Sequence, residues 1–478
     1  MRYCPVCKQK FSMEKCPEHQ KGLKYMTKRI DAKHYFQKAI KKLDLLPSEI
    51  PKLIKGVRGT NNADHDMENL AKGILRAKYG LCVNKDGTIR YDATELPITH
   101  FKPREIMASV EILKELGYDK DIFGRPLENE EQILELKPHD VILPSCPESI
   151  DEKADEVFFN VACFLDDLLE RFYGMKAFYR LESKEDLIGH LVACMAPHNC
   201  AGVIGRIIGF SKVQGLLASP YMHAAMRRDC DGDEAAVMLL LDVLINFSRK
   251  FLPDHRGGTQ DAPLVLNAKI SAGEVDDQIL DFELGEYPLE LYRLAEQQKH
   301  SSEVQIETVR KRLGEEKDPF SNIVFTHNST DFNVGVVNSS YKTLPSMQEK
   351  VVRQMVLVEK LRAADTSDVA KLVIDRHFIR DIRGNLRKFS QQEFRCSKCN
   401  EKYRRPPLAG KCLKCGGRII FTISEGSIIK YLEPALQLAE KYDVPPYIKQ
   451  SLELTKAYIE SIFGKEKEKQ EVLGRWFG

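Results

Sequence analysis

Nowhere in its 478 residues does the chain carry an apolar run of about 18, the length that crossing a bilayer requires. Its opening, Met1-Arg2-Tyr3-Cys4-Pro5, also lacks the apolar core of a signal peptide, so the expectation is a cytoplasmic protein with no membrane partner. An excess of either charge is missing too: 72 Lys and Arg against 70 Asp and Glu leave a net +2. Total charge therefore neither demands nor excludes nucleic acid, because local patches decide that question. Tryptophan is reduced to a single residue, Trp476, two positions from the end. What is present, 43% hydrophobic and 30% charged residues, describes a soluble globular chain, and its length predicts roughly two to four domains.

The run Arg227-Arg228-Asp229-Cys230-Asp231-Gly232-Asp233-Glu234 places three carboxylates at i, i+2 and i+4 around a glycine. In extended backbone, carboxylates two apart point to one side, and Gly232 lets the chain bend so that their oxygens converge on one cation. Mg²⁺ suits such a set, since it takes oxygen ligands and keeps positions open for substrate phosphates. The same letters open a calcium loop, but the twelfth position of such a loop is Leu240 where a bidentate Glu is required. A solvated acidic turn without metal is the other alternative. Against it stand the neighbours: Arg227, Arg228 and His223 flank the acids, with Arg206 and Lys212 just upstream among Gly202, Gly205 and Gly209. Acids for a metal beside cations for phosphate point to phosphoryl or nucleotidyl transfer.

The thirteen cysteines do not scatter as a disulfide framework would. Cys396, Cys399, Cys412 and Cys415 form two C-x2-C pairs, the spacing of a zinc ribbon, in which each pair puts two thiolates on one turn. Cys4, Cys7, Cys16 and His19 form a C-x2-C and a C-x2-H, a less diagnostic set of the same kind. Four protein ligands leave no open position, so one or two structural Zn²⁺ ions are expected rather than catalytic ones. Cys82, Cys146, Cys163, Cys194, Cys200 and Cys230 read most simply as small buried apolar residues.

Along the chain, a Lys-rich stretch with helical spacing runs from Tyr25 to about Leu53, and Asp86-Gly87 between short apolar runs predicts a hairpin. Residues 104–137 are charged and helical in period, whereas Asp140 to Pro144 reads as a short strand. Val157, Val161, Phe164, Leu165, Leu168 and Leu169 predict an amphipathic helix over 154–173. Ser183 and Asp186 make a capping box for a helix through Leu191. From Met195 to Phe210 small residues dominate, as in a barrel with close backbone approaches. The apolar run Ala235 to Leu241 after the acids reads as a buried helix extending to about Arg249. Residues 297–317 read as an exposed helix or a connector, and helices follow the ribbon to Phe463. In the tail, Gln470, Leu473, Trp476 and Phe477 have the spacing of a short 3₁₀ turn that inserts an aliphatic and two aromatics into an apolar pocket. That spacing resembles the peptide that docks on ring-shaped sliding clamps.

Several segments together resemble a known family. They are Gly73 to Lys78, Asp86 to Arg90, Pro97-Ile-Thr-His-Phe101, Ser183 to Leu191, Ala196-Pro-His198, Gly205 to Phe210, His223-Ala-Ala225, Arg227-Arg228, Cys230 to Glu234, Asn246 to Arg249, Asp261-Ala-Pro263 and the ribbon from Phe394 to Gly417. In this order they look like the large subunit of the archaeal D-family replicative DNA polymerase, specifically its C-terminal half. The resemblance implies two double-psi β-barrels like those of multisubunit RNA polymerases, of which this chain holds the second. It further implies that Asp231 and Asp233, with Asp229, hold two catalytic Mg²⁺ ions, and that Arg227, Arg228 and His223 lie beside phosphate oxygens. Asp229 departs from the family, which carries Asn there, toward the RNA polymerase version. The first barrel has no counterpart, so a split gene or a cut chain is expected, inactive by itself.

The expected fold is thus α+β and multidomain: a double-psi β-barrel catalytic domain with helical insertions, plus zinc-ribbon modules. The expected division is an N-terminal zinc module (1–24), a basic helical segment (25–72), the barrel (73–275) with a helical insertion near 104–190, an accessory region (276–392), the zinc ribbon (393–422), C-terminal helices (423–465) and the clamp-binding tail (466–478). Expected partners are primer-template DNA, deoxynucleoside triphosphates, the missing N-terminal half, a small exonuclease subunit and a sliding clamp. The alternatives are a non-catalytic assembly module built on the zinc sites and the tail, and RNA synthesis, which only Asp229 favours.

Overall fold

A computed structural model of the chain describes residues 2–11, 16–20, 24–25, 31–54, 56–57, 66–228, 230–253, 259–270, 279–304, 306–315, 323–324, 331–420 and 423–464. Asp229 and the tail residues Gln470, Leu473, Trp476 and Phe477 lie outside them. The chain forms two compact units, one of Met1–Glu286 with Glu307–Asn338, the other of Tyr287–Ile306 with Ser339–Gly478. The exchange of segments falls inside 276–392, which the sequence treats as one accessory region.

The first unit is built on strands β1 (Tyr91–Pro97), β2 (Asp140–Pro144), β3 (Leu191–Met195), β4 (Ala201–Ser211), β5 (Leu216–Ala218) and β6 (Glu234–Leu239). They pair in the order β4-β2-β5-β1-β6-β3, and β3 returns to β4, closing a six-stranded barrel without edges. Two pairings are parallel, β2 with β4 and β5 with β1, and the other four are antiparallel. A seventh strand, β7 (Val265–Asn267), adds in parallel to the start of β4. Closure demands close approach, and Gly209 supplies it: a Cβ there would meet the Ile106 carbonyl, the group that accepts the Phe210 N–H at 2.8 Å. Helices α1 (Ala32–Leu43), α2 (Leu70–Lys78) and α3 (Ala154–Asp167, continuing as a π-helical turn to Tyr173) pack their apolar faces on one side of this barrel. Helix α4 (Pro220–Met226) leads to the aspartate loop, and α5 (Leu240–Asn246) follows β6.

Several local expectations are corrected. Ala235 to Leu239 is strand β6, not helix; all five side chains are buried, so the run has no alternation to betray its period, and helix begins only at Leu240. The capping box at Ser183 yields one 3₁₀ turn, Glu185–Leu187, with the Asp186 carboxylate accepting the N–H groups of Glu182 and Ser183 at 2.8 Å. Gly189, at φ +94°, then turns the chain into β3. Within 104–137 the only α-helix is Val110–Glu115; Gly117 and Gly124, both at positive φ, break the periodicity into turns braced by Asp121. The Asp86-Gly87 turn forms, with Asn84 N–H donating to the Thr88 carbonyl at 2.8 Å, but no strand ladder precedes it. Among the lone cysteines, Cys146 and Cys194 are buried, Cys163 and Cys230 are half-buried, and Cys82 and Cys200 are exposed.

The second unit is helical. Its core joins Val351 and Met355 of the helix Met347–Lys360, Ile374, Phe378 and Ile382 of the run 366–391, and Tyr431, Leu438, Ile448, Leu452 and Ile459 of the helices after the ribbon. Phe378 stacks on Tyr431 with centroids 4.9 Å apart. The ribbon consists of three short strands, Phe394–Cys396, Lys402–Tyr403 and Ile419–Ile420. No helix among the described residues is long and apolar enough to cross a membrane.

Candidate active site on the barrel rim

The sequence folds into a rigid support on each side of the acids. Ser219 caps α4 by accepting the Tyr221 N–H, Pro220 opens the helix, and Arg227 ends it in the left-handed region at φ +63°. Asn199 holds the helix end by donating to the Met226 carbonyl at 3.2 Å. On the far side Glu234 starts β6, pairing with Thr94 of β1. The loop between them bends at Gly232, whose φ of +115° only glycine adopts without strain.

Within the loop Asp231 is exposed and Asp233 is one-third exposed, at 33%. The Arg228 guanidinium forms an ion pair with the Asp233 carboxylate, Nε to Oδ2 at 2.5 Å. Two oxygen donors thus stand on either side of Gly232, Asp231 open to solvent and Asp233 paired with a cationic side chain. Arg227 is exposed beside it.

Beneath the loop lies a group in which the sequence points to His223, as a phosphate-side residue, but not to Glu95. The Glu95 carboxylate meets His223 Nδ1 at 2.9 Å and the Cys230 thiol at 3.8 Å, with Glu95 and His223 wholly buried. His223 therefore faces the barrel core in this structure, not the solvent side of the loop. Burial along β1 alternates, with Tyr91, Ala93 and Glu95 pointing inward, so a carboxylate on an inward strand position was the available signal.

Arg206 and Lys212 are not brought to the loop. Arg206 pairs in register with Leu191, four residues along β3 from Met195, the partner of Ala236, which puts it about 13 Å down the strand. Its guanidinium is engaged bidentately by Asp140 at 2.9 and 2.8 Å, and Tyr118 donates to the same carboxylate at 2.6 Å. Lys212 lies farther along, just past the end of β4. Nearer the acids, a cleft of about 280 Å³ opens beside Glu234, lined among others by Lys85, Arg90, Asp92 and Asp261. Behind this cleft runs a buried polar network. Asp242 accepts the Ile89 N–H at 2.7 Å and an Asn246 N–H at 2.8 Å, while Asp86 accepts from Thr88 and Arg90 at 2.7 Å. Burial pushes the Asp242 carboxyl up to about 6.

Both cysteine sets assemble. Cys4, Cys7, Cys16 and His19 put their ligand atoms within 4.8 Å of one another, as do Cys396, Cys399, Cys412 and Cys415. Representative separations are 3.8 Å for Cys7–Cys16, 3.4 Å for Cys396–Cys415 and 3.5 Å for Cys399–Cys412. Thiolates bound tetrahedrally at 2.3 Å to one zinc stand about 3.8 Å apart, so both sets fit zinc.

The family model described as "DNA polymerase II large subunit DP2, catalytic domain" matches residues 48–350, which hold the barrel, the loop and the Glu95 group. The chain belongs to this family. Relatives named DNA polymerase II large subunit include those of Archaeoglobus fulgidus, 50% identical over 98% of this chain and 40% of the relative, and Nanoarchaeum equitans, 48% identical over 93% and 37%. That of Pyrococcus furiosus is 48% identical over 96% of this chain and 36% of its own length. The chain thus spans about two-fifths of the length of these family members.

Proposed function

We propose that this chain carries the cation-binding half of a replicative DNA polymerase active site, and that it transfers deoxynucleotides to a primer 3′-hydroxyl only when joined by the remainder of a large subunit. The observation that carries the reading is the loop Cys230 to Glu234, with Asp231 open and Asp233 already paired to a cation, on the rim of a closed barrel. The two parallel pairings inside that barrel support a double-psi topology.

In this reading Asp231 and Asp233, with Asp229, are the ligands of two Mg²⁺ ions. Bound there, Mg²⁺ would lower the pKa of the primer hydroxyl and neutralise charge building on the departing pyrophosphate. The new bond joins the 3′-oxygen to the α-phosphorus, and the bond from that phosphorus to the bridging oxygen breaks. The side chains position these parts. Arg228, displaced from Asp233 when that carboxylate takes up a metal, becomes available to triphosphate or template phosphate oxygens, and exposed Arg227 lies beside it. Primer-template DNA and deoxynucleoside triphosphates are the substrates. A small exonuclease subunit completes the complex, and Gln470, Leu473, Trp476 and Phe477 tether a sliding clamp.

The test is primer extension with Mg²⁺, comparing the chain alone with the chain joined by the rest of the large subunit and the small subunit. Synthesis only in the mixture, abolished by Asp231→Ala or Asp233→Ala with the fold intact, is expected. The second reading, a non-catalytic assembly module, draws on the two closed four-ligand clusters. Extension that survives both substitutions would favour it.

A further inference from the structure

The loop that bears the acids is open at its bend. A Cβ built on Gly232, at the bend, would have no atom within 4 Å, and Asp231 is exposed. Besides the Arg228–Asp233 ion pair, two contacts flank that bend and lead to Glu95. Its backbone N–H donates to the Asp233 carbonyl at 2.9 Å, on the C-terminal side of Gly232. Its carboxylate Oε2 receives the Cys230 thiol at 3.8 Å, on the N-terminal side. One residue of β1 therefore holds the loop at both feet, one foot adjacent to Asp231 and the other being Asp233.

The direction of that carboxylate is set from below. His223, in the last turn of α4, meets the same Oε2 at 2.9 Å through Nδ1, and both residues are 0% exposed. The remaining polar atoms, Glu95 Oε1 and His223 Nε2, are buried and have no partner among the described residues. The contacts to Oε2 are thus what orients the pair, and a buried carboxylate lacking them would be strongly unfavourable. Helix α4 itself is fixed by the Ser219 cap and by Asn199. The result is a post running from α4 through His223 and Glu95 into the loop.

We propose that Glu95 and His223 are positioning residues that set the separation of the Asp231 and Asp233 carboxylates and thereby the divalent-cation affinity of the site. This rests on the reading of those two acids as cation ligands. Neither positioning residue touches substrate; both act through the loop, as partners behind metal ligands do.

The experiment is a Mn²⁺ titration of the zinc-loaded 478-residue chain followed by electron paramagnetic resonance, with thermal unfolding measured on the same samples. Cys230→Ala, which removes only the side-chain foot, is expected to weaken Mn²⁺ binding about tenfold while the melting temperature stays near that of the parent chain. Glu95→Ala is expected to weaken it by about ten- to a hundredfold, and Glu95→Gln, which keeps one acceptor, to recover part of that loss. If Glu95→Ala does not fold, Glu95→Gln and Cys230→Ala still decide. Asp231→Asn separates the two layers. Binding lost in Asp231→Asn but unchanged in Glu95→Gln and Cys230→Ala overturns this proposal alone. Binding unchanged in Asp231→Asn removes the reading beneath it and the proposal with it. A third zinc equivalent, beyond the two cysteine sets and lost in Cys230→Ala, would also overturn it, because Glu95, His223 and Cys230 would then be metal ligands themselves.

Discussion

Single side chains in this barrel carry consequences that can be signed. His100, buried and paired across a two-residue ladder with Glu135, has its pKa pulled down from 6.5 to about 4 by burial. Between those values the unfolded chain takes up a proton that the folded one does not, so stability is lost as pH falls from 6.5 toward 4. Replacing it by Gln removes that dependence. Between pH 7 and pH 4.5 the parent should therefore lose about 2–3 kcal/mol relative to His100→Gln, measured by denaturant unfolding; a constant gap would contradict the assignment. Gly209 makes a different kind of prediction. Its Cβ position is filled by the Ile106 carbonyl, so Gly209→Ala should cost about 1–3 kcal/mol of stability by overpacking, read as a lowered midpoint.

At the scale of elements, the two cysteine sets were fully legible, because C-x2-C spacing states a metal site without reference to the rest of the fold. The ribbon is expected to depend on that metal. Between Phe394 and Ile420 the buried side chains are Cys396 and Cys412, so no apolar core remains if zinc is withdrawn. Chelation should make this segment sensitive to protease while the helix Pro446–Phe463, anchored by Ile448, Leu452 and Ile459, stays protected. A ribbon still resistant after zinc removal would contradict this. Other elements were less legible. Strand β6 has no alternation because both its faces are buried, and the helix predicted up to Leu191 is cut short by Gly189 at positive φ. Glu95 escaped notice for a related reason: its importance comes from His223, 128 residues away in sequence, and only closure of the barrel brings them together.

For the molecule as a whole, the barrel supplies a rim on which acids sit at a bend, with one compact unit carrying that rim and a second, helical unit carrying the ribbon. The closed barrel was legible in outline, from small residues between Met195 and Phe210, but the strand order was not, since parallel pairings join segments far apart in the chain. The chain spans about two-fifths of the length of its relatives, and the chemistry is proposed for it joined to the remainder of a large subunit. The most direct test is the rate of single-deoxynucleotide incorporation by the assembly proposed above, carrying Asp231→Asn or Asp233→Asn. A loss of about a thousandfold or more in each, with primer-template binding retained, is the predicted result for groups that act on transition-state charge. Incorporation at the parent rate in either variant would contradict the assignment of these two carboxylates to the reaction.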